Sequence, residues 1–121
     1  MLLIKEFEFD SAHFLPKYHG KCEALHGHTY KLVVKLDGVP DSEGMIMDFT
    51  LLKKVVKEKV VDILDHACLN DIVPQPSAEN LAVWVWGQLG DLLTKDNCRL
   101  FEVEIWETKT SGVVYRGESL K

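Results

Sequence analysis

From its third residue the chain alternates. Leu3, Phe7 and Phe9 fall on one side and Glu6 and Glu8 on the other, which predicts a half-buried strand over Leu3 to Phe9, with Lys5 interrupting the apolar side near its start. Pro16 to Glu23 is polar and reads as a loop. Alternation resumes in Tyr30-Lys31-Leu32-Val33-Val34-Lys35-Leu36, preceded by His26-Gly27-His28, so a second strand runs to about Leu36 with both histidines on the side of Leu32, Val34 and Leu36. Gly27 leaves room on the opposite face. A turn-rich segment, residues 37–44, leads to a short return strand, Met45-Ile46-Met47.

The period then changes. Asp48 or Thr50 can cap a helix whose apolar stripe is Leu52, Val56, Val60, Ile63 and Leu64, with Lys53, Lys54, Lys57, Glu58 and Lys59 as its solvated face. Pro74 and Pro76 force a loop, and Ser77 caps a second helix with Leu81, Val85, Leu89 and Leu92 facing the core. Gly87 and Gly90 weaken its far end. Leu100 to Trp106 is a strand with Phe101, Val103 and Ile105 on one face and Glu102, Glu104 and Trp106 on the other; Glu107 falls in phase with the apolar face. Val113 to Tyr115 forms a last short strand after Ser111-Gly112. The order predicts an α+β fold in one domain, residues 1–121: a four-stranded antiparallel sheet with two helices covering one side.

Composition narrows the function. The chain is 46% hydrophobic and 27% charged, ordinary for a soluble globular protein. No apolar run reaches membrane-spanning length, and the first residues lack the organisation of a signal peptide. Cys22, Cys68 and Cys98 are an odd count without paired spacing, which favours reduced thiols in a cytoplasm. A net charge of −5 disfavours a nucleic-acid surface and makes an anionic substrate depend on local cations.

Several side chains carry chemistry. Two imidazoles on one strand face, at the start of an apolar floor, suit a cation such as zinc if a third ligand arrives; His13 is the first candidate and His19 the reserve. Three protein ligands leave a fourth position open, the pattern of a catalytic site. Cys22 is either a small hydrophobe, as suits Cys68 and Cys98, or a thiolate made available by Lys21 beside it. Asp65-His66 is either a favourable charge at a helix end or a carboxylate orienting a general base. Glu107 on an apolar face needs a partner: Lys109, Arg116, or the N–H/NH2 edge of a guanidine-like heterocycle.

Taken in order, Phe9-Asp10-Ser11-Ala12-His13, Cys22-x3-His26-Gly27-His28, Met47-Asp48-Phe49, Leu64-Asp65-His66 with Leu69-Asn70-Asp71, Pro76-Ser77-Ala78-Glu79-Asn80, and Glu107-Thr108 through Tyr115-Arg116-Gly117-Glu118 resemble the 6-pyruvoyl-tetrahydropterin synthase family, most of all its bacterial 6-carboxy-tetrahydropterin branch. The resemblance spans nearly the whole chain. It implies a tunnelling fold whose subunit sheets join into a barrel, three to a ring, with two rings stacking into a homohexamer and active sites at the subunit interfaces. It implies zinc on His13, His26 and His28, Cys22 as general base with Asp65 and His66 as its relay, and Glu107 as the pterin anchor. Ser77 keeps the hydroxyl of a pocket position where Ala78 does not. The implied reaction turns 7,8-dihydroneopterin triphosphate into 6-carboxy-tetrahydropterin, in the pathway to queuosine. The alternatives are triphosphate elimination to the 6-pyruvoyl product, side-chain cleavage through Glu23 in Glu23-x2-His26-Gly27-His28 to a 6-hydroxymethyl pterin, and a non-catalytic zinc or pterin-binding module. For the triphosphate, Lys21 is the leading cation, ahead of Lys17 and Arg116.

Overall fold

A computed structural model describes residues 1–17 and 24–120. Alternation persists to the end of the first strand, β1 (Leu2–His13), because Ser11 and His13 follow Phe9 on its inner face. β1 pairs antiparallel with β2 (His26–Gly38) in a register that sets His13 opposite His26 and Ser11 opposite His28. The helical rod that follows comprises α1 (Phe49–Val56), a π-helical turn (Lys57–Val61) and α2 (Asp62–Leu64), and leads to the two-residue β3 (Ala67–Cys68). Next come a 3-10 turn (Leu69–Asp71), α3 (Ala78–Leu89), β4 (Cys98–Thr108) and β5 (Ser111–Tyr115). The sheet order is β3-β1-β2-β4-β5.

Five strands stand where four were expected. The addition is β3, which runs parallel to β1 at Ser11 and Ala12, so the sheet is mixed. The Ser11 hydroxyl lies 2.5 Å from the Leu64 carbonyl and 2.9 Å from that of Ala67, fixing the chain after α2 to β1. Met45 to Met47 does not form a strand. Asp41 donates its N–H to Met45 and accepts from Glu43 and Met45, while the Asn97 amide donates to Val39 and Ile46. These bonds occupy groups a ladder would need, yet Ile46 and Met47 remain buried.

Asp48 caps α1 by accepting from the Thr50 N–H, and Leu52, Val56, Val60 and Leu64 are buried at steps of four. In an ideal α-helix each such step over-rotates by about 40°; the wider π turn absorbs the excess. It also buries Val61 and leaves Ile63, expected in the core, 40% exposed. After α3, capped by Ser77 as expected, Leu93 rather than Leu92 is buried. In β4 a bulge pairs Lys35 with Glu102 but Leu36 with Leu100, so Phe101 is the extra residue. Leu100 joins Val103 and Ile105 in the core, and the Phe101 ring instead sits 5.4 and 5.1 Å from the Arg99 and Arg116 guanidinium groups. Among the described residues no helix is long and apolar enough to cross a membrane.

Candidate active site

The β1–β2 register does the main work. His13 ends one inner face, and His26 and His28 begin the adjacent one, over a floor made by Tyr30 stacked on Phe9 at 5.0 Å. One ring nitrogen from each of the three histidines lies within 4.8 Å of the other two. The His13 ring is 1% exposed.

The backbone fixes which nitrogens point inward. His13 Nδ1 lies 2.7 Å from the Pro76 carbonyl and His26 Nδ1 lies 2.8 Å from that of Ala24, so each donates there and carries its lone pair on Nε2. Those two Nε2 atoms face each other at 3.1 Å, a repulsive arrangement unless a proton or cation lies between them. A tetrahedral zinc would hold its imidazole nitrogens roughly 3.3 Å apart. His28 Nε2 is buried and has no hydrogen-bond partner among the described residues. Burial pushes the His28 pKa below its ordinary value; Glu107 opposes this, and His13 and His26 add to it. The neutral form thus favoured is the form that binds metal. These three residues fit a divalent cation.

Glu107 reaches the same point. Its Oε1 lies 3.4 Å from His13 Nε2 and 3.7 Å from His28 Nε2. Of the alternative partners weighed from sequence, Arg116 pairs instead with Glu102 at 3.0 Å. Glu107, His28, Lys31, Trp106 and Lys109 line a cleft of about 530 Å³. A smaller cavity, about 220 Å³, separates Glu107 from Ala78 and Glu79 at the start of α3. Ser77 itself caps that helix by accepting from the Asn80 N–H.

Asp65 and His66 lie outside the triad, and of the two His66 lines a groove beside it. His66 Nδ1 is 3.0 Å from Asp65 Oδ2, and the Asp10 N–H donates to Asp65 Oδ1 at 2.9 Å. The Asp10 N–H, and after it His66, hold the Asp65 carboxyl below its ordinary range. His66 adopts φ 55°, and its N–H donates to the Asp10 carbonyl. An open groove of about 640 Å³ joins His66 to His28 across Gly27. A Cβ on Gly27 would meet the Ser11 carbonyl at an ordinary 3.5 Å, so the sheet tolerates a side chain there and the space above it belongs to the groove.

Lys21, Cys22 and Glu23, with His19, lie outside the described residues. The chain leading toward them is held from below. The Asn70 amide brackets Phe14, accepting from its N–H at 3.0 Å and donating to its carbonyl at 2.9 Å, and the Gln75 side chain accepts from the Lys17 N–H. Sequence reasoning did not find these clamps, nor the carbonyls of Ala24 and Pro76, which no side chain announces. The outward phase of Lys31 and Trp106 was the available signal for the cleft.

Fold and site together define a small α+β protein with a metal-competent triad beside a ligand cleft. The family model described as 6-pyruvoyl tetrahydropterin synthase matches residues 2–118. Among curated relatives, a 6-pyruvoyl tetrahydrobiopterin synthase of Dictyostelium discoideum is 46% identical over 108 residues, covering 84% of this chain and 78% of that protein. A 6-carboxy-5,6,7,8-tetrahydropterin synthase of a Synechocystis strain is 36% identical over 121 residues, covering 94% and 92%. The solved structure of Caenorhabditis elegans 6-pyruvoyl tetrahydropterin synthase superposes with a TM-score of 0.86 at 28% identity, covering 98% of this chain and 96% of that one. The chain belongs to the 6-pyruvoyl tetrahydropterin synthase family, and its sheet and helices form that family's tunnelling fold.

Proposed function

We propose that this protein is a zinc-dependent lyase converting 7,8-dihydroneopterin triphosphate and one water to 6-carboxy-5,6,7,8-tetrahydropterin, acetaldehyde and triphosphate, in cytoplasmic queuosine biosynthesis. The observation that carries the reading is the convergence of three imidazoles and Glu107 at one end of a cleft. His13, His26 and His28 would hold the zinc, with Pro76 and Ala24 keeping two of the rings in the binding tautomer. Zinc so held supplies Lewis-acid stabilisation of oxyanion charge. Glu107 accepts the N–H/NH2 edge of the pterin and so aims the side chain at the triad. Cys22 removes the proton. His66, oriented through Nδ1 by Asp65, has Nε2 left to exchange a proton, the role of relay for the thiol. Ser77 fixes the α3 terminus and with it the Pro76 carbonyl.

Active sites would lie between copies in a homohexamer. The small sheet cannot close on itself, and joining copies removes its edges. The Dictyostelium relative, at 46% identity, favours a second reading in which triphosphate is eliminated to a 6-pyruvoyl product. Incubating the zinc-loaded protein with the triphosphate and weighing the products separates the readings. The 6-carboxy pterin with acetaldehyde is expected. A 6-pyruvoyl product without acetaldehyde supports the second reading, a 6-hydroxymethyl pterin supports Glu23-dependent cleavage, and no turnover of any dihydropterin supports a binding module.

A further inference from the structure

Ser11 breaks the apolar phase of β1. It lies between Phe9 and His13 on the inner face and is 6% exposed, where the strand's alternation calls for a hydrophobic side chain. Its hydroxyl reaches instead the carbonyls of Leu64 and Ala67, the two residues that flank the dipeptide Asp65-His66. The Leu64 carbonyl closes α2, where a helix leaves its acceptors without internal donors. A hydroxyl has one proton to give, so both carbonyls are drawn to a single donor and the turn between them is pinched against β1.

Inside the pinch His66 adopts φ 55°, a left-handed conformation that a residue bearing a Cβ keeps only where its surroundings impose it. Two more bonds come from the residue before Ser11. The Asp10 carbonyl accepts from the His66 N–H, and the Asp10 N–H donates to Asp65 Oδ1. The imidazole itself is 79% exposed and is held at Nδ1 by Asp65 Oδ2. With so little packing around it, the ring goes where the backbone of the turn puts it.

We propose that Ser11 is a positioning residue for His66, holding the left-handed turn from beneath so that Asp65 and the imidazole stay in working register. The inference rests on the relay reading of Asp65 and His66 given above, and adds what keeps the relay in place. One hydrogen bond lost from the pinch changes the population of the held turn by roughly fivefold.

The test is a double-mutant cycle on the zinc-loaded protein, with turnover of the triphosphate, amide hydrogen exchange and zinc content read on every member. His66→Asn is the partner variant, because asparagine accepts a left-handed backbone and has no imidazole to relay a proton. Ser11→Ala should lower kcat roughly fivefold, with KM and zinc content at the wild-type level, and exchange at the His66 N–H should quicken by a similar factor. In the His66→Asn background Ser11→Ala should lower kcat no further, while exchange at position 66 still quickens. Wild-type kcat in Ser11→Ala, alongside an impaired His66→Asn, overturns the positioning role and leaves the relay reading standing. A loss of kcat with unchanged exchange at position 66 overturns it, as does an equal loss in both backgrounds, since Ser11 would then act on the fold and not through His66. Wild-type kcat in His66→Asn removes the relay and the proposal with it, and wild-type protein that turns over no dihydropterin removes the reading beneath both.

Discussion

Asn70→Ala tests how the chain directly after His13 is anchored. Asn70 makes two hydrogen bonds to the backbone of Phe14, the residue directly after His13, at 3.0 and 2.9 Å, both partly buried. A net hydrogen bond contributes about 1 kcal/mol, and water can reach the freed Phe14 groups, so the substitution should cost about 2 kcal/mol. With about 2.1 cal/mol/K of unfolding entropy per residue, a chain of 121 residues loses about 8 °C in Tm. Asn70→Asp keeps the acceptor for the Phe14 N–H and loses the donor, so its Tm should fall between those of wild type and the alanine variant. Calorimetry at one fixed protein concentration reads all three, since assembly makes Tm concentration-dependent. Zinc binding should survive, because no ligand is touched. A Tm for Asn70→Ala within a degree of wild type would refute the reasoning.

Three further outcomes are expected. The Asp65 carboxyl is held below its ordinary value, so its contribution to stability is present above the unfolded carboxylate pKa of about 4 and lost as pH falls through the lower folded value; metal-free Asp65→Asn should melt below wild type at neutral pH and converge with it under acid, and a gap that widens with acid contradicts the sign. Lys21→Ala should raise KM for the triphosphate far more than for unphosphorylated dihydroneopterin, and an equal effect on both would remove Lys21 from phosphate binding. Light scattering should return six copies, and a stable, active monomer would contradict both the barrel and the shared site.

Most of the fold was legible because alternation and a four-residue stripe are local signals. His26, His28, Leu32, Val34 and Leu36 share a face as their spacing demands, and Asp48 and Ser77 cap where their side chains can. What the sequence hid depends on contacts made elsewhere. The bulge at Phe101 exchanges it for Leu100 because β2 imposes the register, and the π turn trades Ile63 for Val61 because the rod follows the core. β3 exists only because Ser11 and β1 offer it partners. The approach of His13 to the histidine pair was foreseeable from residue type. The carbonyls that set the ring tautomers were not, since Ala24 and Pro76 act through backbone alone.

The central claim is that three Nε2 lone pairs converge to hold one cation. Chelator-stripped protein titrated with zinc, and dialysed before metal analysis, tests it most directly. One zinc per chain is expected in the wild type, with near-complete loss in His28→Ala while the far-UV circular dichroism stays that of the folded sheet, because a metal ligand at an open site is not part of the core. Stoichiometric zinc retained by folded His28→Ala, His13→Ala and His26→Ala alike would contradict the account.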